Sequence, residues 1–106
     1  MVMPRQPRLD APGTLHHVMG RGIERTKIFS NKTDQEDFLN RVAQLCEGGA
    51  LIVYAWALMH NHFHLLVRTG TQPLSKSMRR LLTGYVINFN LRHRRHGHLF
   101  QNRYPS

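Results

Sequence analysis

Apolar residues recur along this chain at several spacings, and each spacing predicts an element. Phe38, Leu39, Val42, Leu45 and Cys46 repeat at helical intervals behind Thr33 and Glu36, an S/T-x-x-E capping pair. Acids crowd the first turn, where the helix dipole favours them, and Gly48-Gly49 ends the pattern, so a helix capped by Thr33 is expected. A second stripe, Leu74, Met78, Leu81, Leu82, Tyr85 and Phe89, predicts a helix from Leu74 to about His93, with Lys76, Arg79 and Arg80 on its wet side. "ALIVYAWALM" is continuously apolar and rich in β-formers, which predicts a strand buried on both faces with Tyr54 and Trp56 in the core. "HFHLLVRT" reads as the next strand, joined to it by a tight hairpin at Met59-His60-Asn61.

Weaker signals flank these elements. "TLHHVMGRG" sets Leu15, His17 and Met19 on one side and His16 and Val18 on the other, a first strand closed by Gly20 and Gly22. "IERTKIFSN" is a loop pinned by Ile28 and Phe29, and "HLFQNRY" is an expected final strand. Residues 1–13 are Pro-rich and aperiodic, an N-terminal arm before one domain at 14–106. The order β-α-β-β-α-β predicts an α+β, ferredoxin-like sandwich: an antiparallel sheet with two helices on one face.

At 106 residues and 41% hydrophobic content the chain has room for one core. No apolar run is long enough to span a membrane, and the N-terminus lacks the apolar stretch of a secretory signal. Cys46 is the sole cysteine, so an internal disulfide is excluded; it reads as a core residue in a reducing cytoplasm. Charge changes the picture more. All six acids lie in residues 1–47, where seven Lys or Arg offset them, while residues 48–106 carry eight Lys or Arg and no acid. A net charge of +9, so unevenly distributed, points to a polyanionic partner, and nucleic acid is the expected one. Lys76, Arg79, Arg80, Arg92, Arg94 and Arg95 form a candidate phosphate track on the second helix and its exit loop. Gln101, Asn102 and Arg103 are candidates for reading base edges.

The chemistry concentrates in "LMHNHFHLLVRT". On a strand, i and i+2 share a face, so His62 and His64 point together and two imidazoles can share one metal ion, while Phe63 turns to the helices. His60 falls in the hairpin as a turn residue, with a part in assisting the site left open. A structural zinc fits poorly, since the chain offers no cysteine pair and two histidines do not complete a tetrahedron.

His-hydrophobe-His on the middle strand of such a sheet resembles the HUH arrangement of nucleases that cut single-stranded DNA. "GTLHHVMGRGIERTKIF", "YAWALMHNHFHLLVRT", "LSKSMRRLLTGYVINFN" and "HGHLFQNRY" follow in the order and spacing of the single-tyrosine HUH transposases (IS200-like), and resemble most the REP-associated tyrosine transposases. The likeness covers about residues 10–104, and departs where His60 stands in place of the family's usual proline. It implies metal binding by His62 and His64, with Mg²⁺ or Mn²⁺, and a substrate of single-stranded or hairpin DNA. It also implies cleavage by a tyrosine that leaves a 5′-phosphotyrosine and a free 3′-OH. In relatives that tyrosine sits on a helix beyond the last strand, and the expectation is that this chain lacks it, leaving Tyr104 and Tyr85 as candidate substitutes. A nucleoid-associated protein of the cytoplasm is expected, with a homodimer left open. The alternative is a non-catalytic nucleic-acid-binding module of the same fold.

Overall fold

The alternation in "HFHLLVRT" is realised without a break in the computed structural model, which describes residues 13–101. Strand β3 (His62–Thr69) buries Phe63, Leu65, Val67 and Thr69 on one face and leaves His62, His64, Leu66 and Arg68 half-exposed on the other. β1 (Leu15–Arg21) and β2 (Leu51–Met59) pair with it on either side, both antiparallel, in the order β1-β3-β2. The chain then returns to the outer edge of β1: Gly22 bridges Phe100, the Ile23 amide donates to Leu99, and the Gln101 amide donates to Arg21. That is the fourth-strand position of a βαββαβ sandwich. Among the described residues the expected final strand is only this bridge; Asn102, Arg103 and Tyr104 lie outside them, as does the expected arm up to residue 12.

Helices α1 (Lys32–Glu47) and α2 (Leu74–His93) cover one face, so the architecture is the expected α+β one. Phe38 sits at the centre of that layer, its ring 4.9 Å from Phe63, 5.3 Å from Phe29 and 5.4 Å from Tyr85. The stripe expected on α2 is the one observed: Leu74, Met78, Leu81, Tyr85 and Phe89 are buried, and Leu82 packs at their margin. Cys46 packs against the core while remaining partly accessible.

Two expectations are corrected. The cap of α1 is Asn31 rather than Thr33: its side chain accepts the Asp34 amide at 2.9 Å, and the Asp34 carboxylate accepts the Ser30 amide at 2.8 Å. The reciprocal box has moved two residues upstream, because there its carboxylate also meets α2. The second correction concerns β2, which is not buried on both faces. Ile52, Tyr54 and Trp56 are 51%, 52% and 58% exposed. β2 is a sheet edge; Ile52 and Tyr54 face the side without helices, and Trp56, although its partner Leu65 is buried, stands at the uncovered margin. Continuous hydrophobicity cannot tell a central strand from an edge strand with one bare face.

Close packing explains the glycines that end β1. A Cβ on Gly22 would lie 2.0 Å from the Thr26 carbonyl oxygen, a backbone atom that cannot swing aside. Gly22→Ala is therefore expected to cost about 1–3 kcal/mol. Urea denaturation measures this, and an unchanged midpoint would contradict the packing argument.

Candidate metal centre on the open sheet face

The face of the sheet away from the helices carries the histidine pair. His62 and His64 have ring centroids 5.2 Å apart, with the rings nearly perpendicular at 86°. The Nδ1 of His62 is 2.8 Å from the Asn61 Oδ1. An amide oxygen only accepts, so Nδ1 carries the proton and the lone pair of His62 sits on Nε2.

β1 supplies a third histidine. In register Met19 faces His64 and His17 faces Leu66, which brings His17 diagonally beside His64. The rings stack almost parallel, 5.1 Å apart, and His17 Nε2 lies 3.0 Å from His64 Nδ1. With His64 Nδ1–H donating to His17, the Nε2 of His64 is also left with its lone pair. Burial first, and then the positive charge tendency of His17, His62 and Arg21, holds the pKa of His64 below its ordinary value and favours the neutral ring.

The donor set fits a divalent ion as a two-imidazole site. Two Nε2 atoms are available on one face, and one of the two rings is oriented by a partner imidazole. Among the described residues no group of three His, Cys, Asp or Glu side chains could hold a metal, so water and phosphate would fill the other positions. Beside the pair opens a cleft of about 880 Å³, lined by Arg21, Glu24, Arg25, His62, His64 and Gln101. Its rim includes two consecutive left-handed residues, Glu24 at φ 50° and Arg25 at φ 63°. Such backbone strain gathers at functional sites. His60 is an exposed turn residue whose carbonyl accepts the Ile28 and Phe29 amides.

The candidate tyrosines are placed very differently. Tyr85 is fully buried behind the sheet and its hydroxyl donates to the Ile28 carbonyl. Burial first, and then the nearby Asp34 carboxylate, pushes its pKa far above the ordinary phenol value. Tyr54, expected in the core, stands exposed on the histidine face, inserted between the levels of Val67 and Leu66 on β3, with its hydroxyl bound by Arg68. Arg68 lies four residues from His64, about 13 Å along β3, so the hydroxyl it holds is turned away from the histidine pair. Tyr104 lies outside the described residues.

The basic residues divide between the two sides of the molecule. Lys76, Arg79 and Arg80 are exposed on the outer side of α2, behind the helix layer rather than on the histidine face. Arg92 is drawn inward, donating to Asp34 at 2.9 Å and Asp37 at 2.9 Å. Arg95 donates to the Asn90 side chain and the His98 carbonyl, and Arg94 is exposed at the left-handed end of α2. The cations that share the histidine face are Arg21 and Arg68 on the strands and Arg25 at the cleft. Sequence reasoning missed these three and His17. The only available signal was the alternation placing His17 with Leu15 and Met19 on one side of β1.

A family model described as IS200-like transposase matches residues 13–106. No curated protein and no solved structure matches the chain.

Proposed function

The chain belongs to the IS200-like transposase family, and from that premise we propose that it binds single-stranded or hairpin DNA and presents one phosphate to a divalent ion at His62 and His64. The observation that carries this reading is the paired imidazoles on an open face, beside a cleft bearing Arg21 and Arg25. The two Nε2 atoms would hold Mg²⁺ or Mn²⁺, which would supply Lewis acidity to a phosphate oxygen, and Mn²⁺ accepts imidazole more readily. His17 keeps His64 turned toward the ion through its Nδ1. Arg21 and Arg25 offset phosphate charge at the cleft, while Lys76, Arg79, Arg80, Arg94 and Arg95 engage flanking DNA across the helix layer. Arg92 serves the fold first, through its two carboxylates. From the family membership we place the protein with its DNA in the cytoplasm; no helix of the described residues is long and apolar enough to cross a membrane.

Strand cleavage in this reading is attack by a tyrosine hydroxyl on phosphorus, with the 3′-oxygen leaving and a 5′-phosphotyrosine formed. A second reading, binding without cleavage, is favoured by one observation: no tyrosine among the described residues reaches the histidine pair. The two readings separate in a denaturing gel after incubation with Mn²⁺ and a hairpin substrate. Any SDS-resistant protein–DNA adduct is expected to survive Tyr54→Phe and Tyr85→Phe, and its loss in Tyr104→Phe identifies Tyr104 as nucleophile. An adduct lost in Tyr85→Phe alone contradicts the buried placement of that hydroxyl.

DNA binding is tested by replacing Arg79, Arg80, Arg94 and Arg95 together with Ala. Affinity for all single-stranded sequences is expected to fall, and the slope of log K against log salt to become shallower by about 0.7 for each phosphate no longer neutralised. An unchanged slope removes this helix from the DNA track.

A further inference from the structure

The open face does not end at the histidines. Between Val53 and Ala55 the β2–β3 register shifts, so that Val53 faces Val67 while Ala55 faces Leu66, and Tyr54 is the inserted residue. The bulge reverses the alternation of β2. Upstream of it Val53 faces the helices; downstream it is Trp56 and Leu58 whose partners, Leu65 and Phe63, lie on the buried face. Tyr54 follows Ile52 onto the open face, where the Arg68 Nε donates to its hydroxyl at 2.9 Å. The same guanidinium donates from its Nη1 to the Gly13 carbonyl at 2.6 Å, which tethers it at two points. Its central carbon lies 5.7 Å from the ring centre, and the tyrosine remains 52% exposed.

We propose that Tyr54 and Arg68 form a nucleobase-stacking subsite for an unpaired base of the same DNA strand whose phosphate lies at His62 and His64. The proposal rests on the DNA-binding reading above and adds to it where a base is held. Three features support a DNA strand as the occupant. The strand positions of this face include Arg21, Arg68, His17, His62 and His64 and no acid, so the surface complements a polyanion. Ala55 and Ala57, opposite Leu66 and His64, keep the ground low between the ring and the histidine pair. The ring and guanidinium are held together by a hydrogen bond, and such planar groups are what single-strand binders offer to bases. Arg68 lies four residues from His64, about 13 Å along β3, which sets the interval between the stacked base and the metal-facing phosphate.

The test uses the full chain and two fluorescent probes, an oligothymidylate and an abasic strand of the same length. Wild type is expected to prefer the base-bearing strand. Tyr54→Ala should lose about tenfold in affinity for that strand and nothing for the abasic one, with Mn²⁺ affinity unchanged. Tyr54→Phe, which keeps the ring and only frees Arg68, should retain most of the preference for bases. Tyr54 is exposed, so neither variant empties the core; an equal fall on both strands would show a general effect and overturn the subsite. An unaltered affinity for the base-bearing strand overturns it too, as would a self-association of the chain that Tyr54→Ala abolishes without changing DNA affinity. If wild type binds neither strand, the DNA-binding reading itself fails and the subsite with it.

Discussion

His62→Ala and His64→Ala are each expected to abolish tight Mn²⁺ binding while leaving the fold intact. Both rings leave the sheet on its open side, half-exposed, so their loss removes little packing, and surface changes of this kind usually stay within about 0.5 kcal/mol. An ion at this proposed site, by contrast, would have only these two protein donors among the described residues. Losing a residue that merely orients a ligand typically costs about 10–100-fold in metal affinity, so loss of a ligand should cost at least about 100-fold. His17→Ala supplies the intermediate case, about tenfold, because His64 keeps its Nε2 but loses the imidazole that holds its Nδ1. Calorimetry with Mn²⁺ on the three variants orders them. Equal affinity in wild type and either His62→Ala or His64→Ala would sink the metal centre.

Asp34→Ala should destabilise the protein by about 3 kcal/mol or more. Its fully buried carboxylate accepts the Ser30 amide at 2.8 Å, Arg92 Nε at 2.9 Å and His93 Nε2 at 2.9 Å, tying the first turn of α1 to the last turn of α2. Arg92 continues to Asp37, and Asp37 to Arg41, so the two helices share one ionic chain. Removing one member of a buried pair leaves its partners desolvated without compensation, which costs about 3–5 kcal/mol. A small domain has only about 5–15 kcal/mol in total.

The same carboxylate makes stability depend on pH. Burial alone would raise the pKa of Asp34, but the bonds from the Ser30 amide, His93 and Arg92 outweigh it and hold the value below the ordinary 3.8. A depressed folded-state pKa means that the contribution is fully present above the unfolded value, near 3.8, and is lost as pH falls through the lower folded value. Wild type should therefore lose stability below about pH 4, with a slope that Asp34→Ala lacks. Urea midpoints between about pH 2 and 7 measure both effects, and a midpoint unchanged by the substitution at neutral pH refutes the network.

Much of this was legible in order along the chain. The stripe from Leu74 to Phe89 and the alternation of "HFHLLVRT" are local periodicities, and local sterics alone turn them into a helix and a strand with defined faces. For the same reason His62 and His64 could be set side by side before any fold was known, since strand geometry puts i and i+2 on one face wherever the strand goes. The absence of acids after residue 47 likewise belongs to the chain and not to its folding.

What stayed hidden depends on neighbours remote in sequence. His17 joins His64 across 47 residues, through a β1–β3 register that no local pattern specifies. Asn31 and Asp34 displace Thr33 and Glu36 as the capping pair because Arg92 and His93, 58 and 59 residues away, meet the Asp34 carboxylate there. Tyr54 and Trp56 are apolar enough for a core, yet sheet order puts β2 at an edge with one face bare, and Tyr54 lies on that face with Ile52. The sequence by itself thus determined the elements, their faces and the paired imidazoles, because backbone geometry and side-chain periodicity are local. Only the tertiary structure decided which groups meet across strands and helices, because register, edges and buried charge pairs are settled when distant segments pack together.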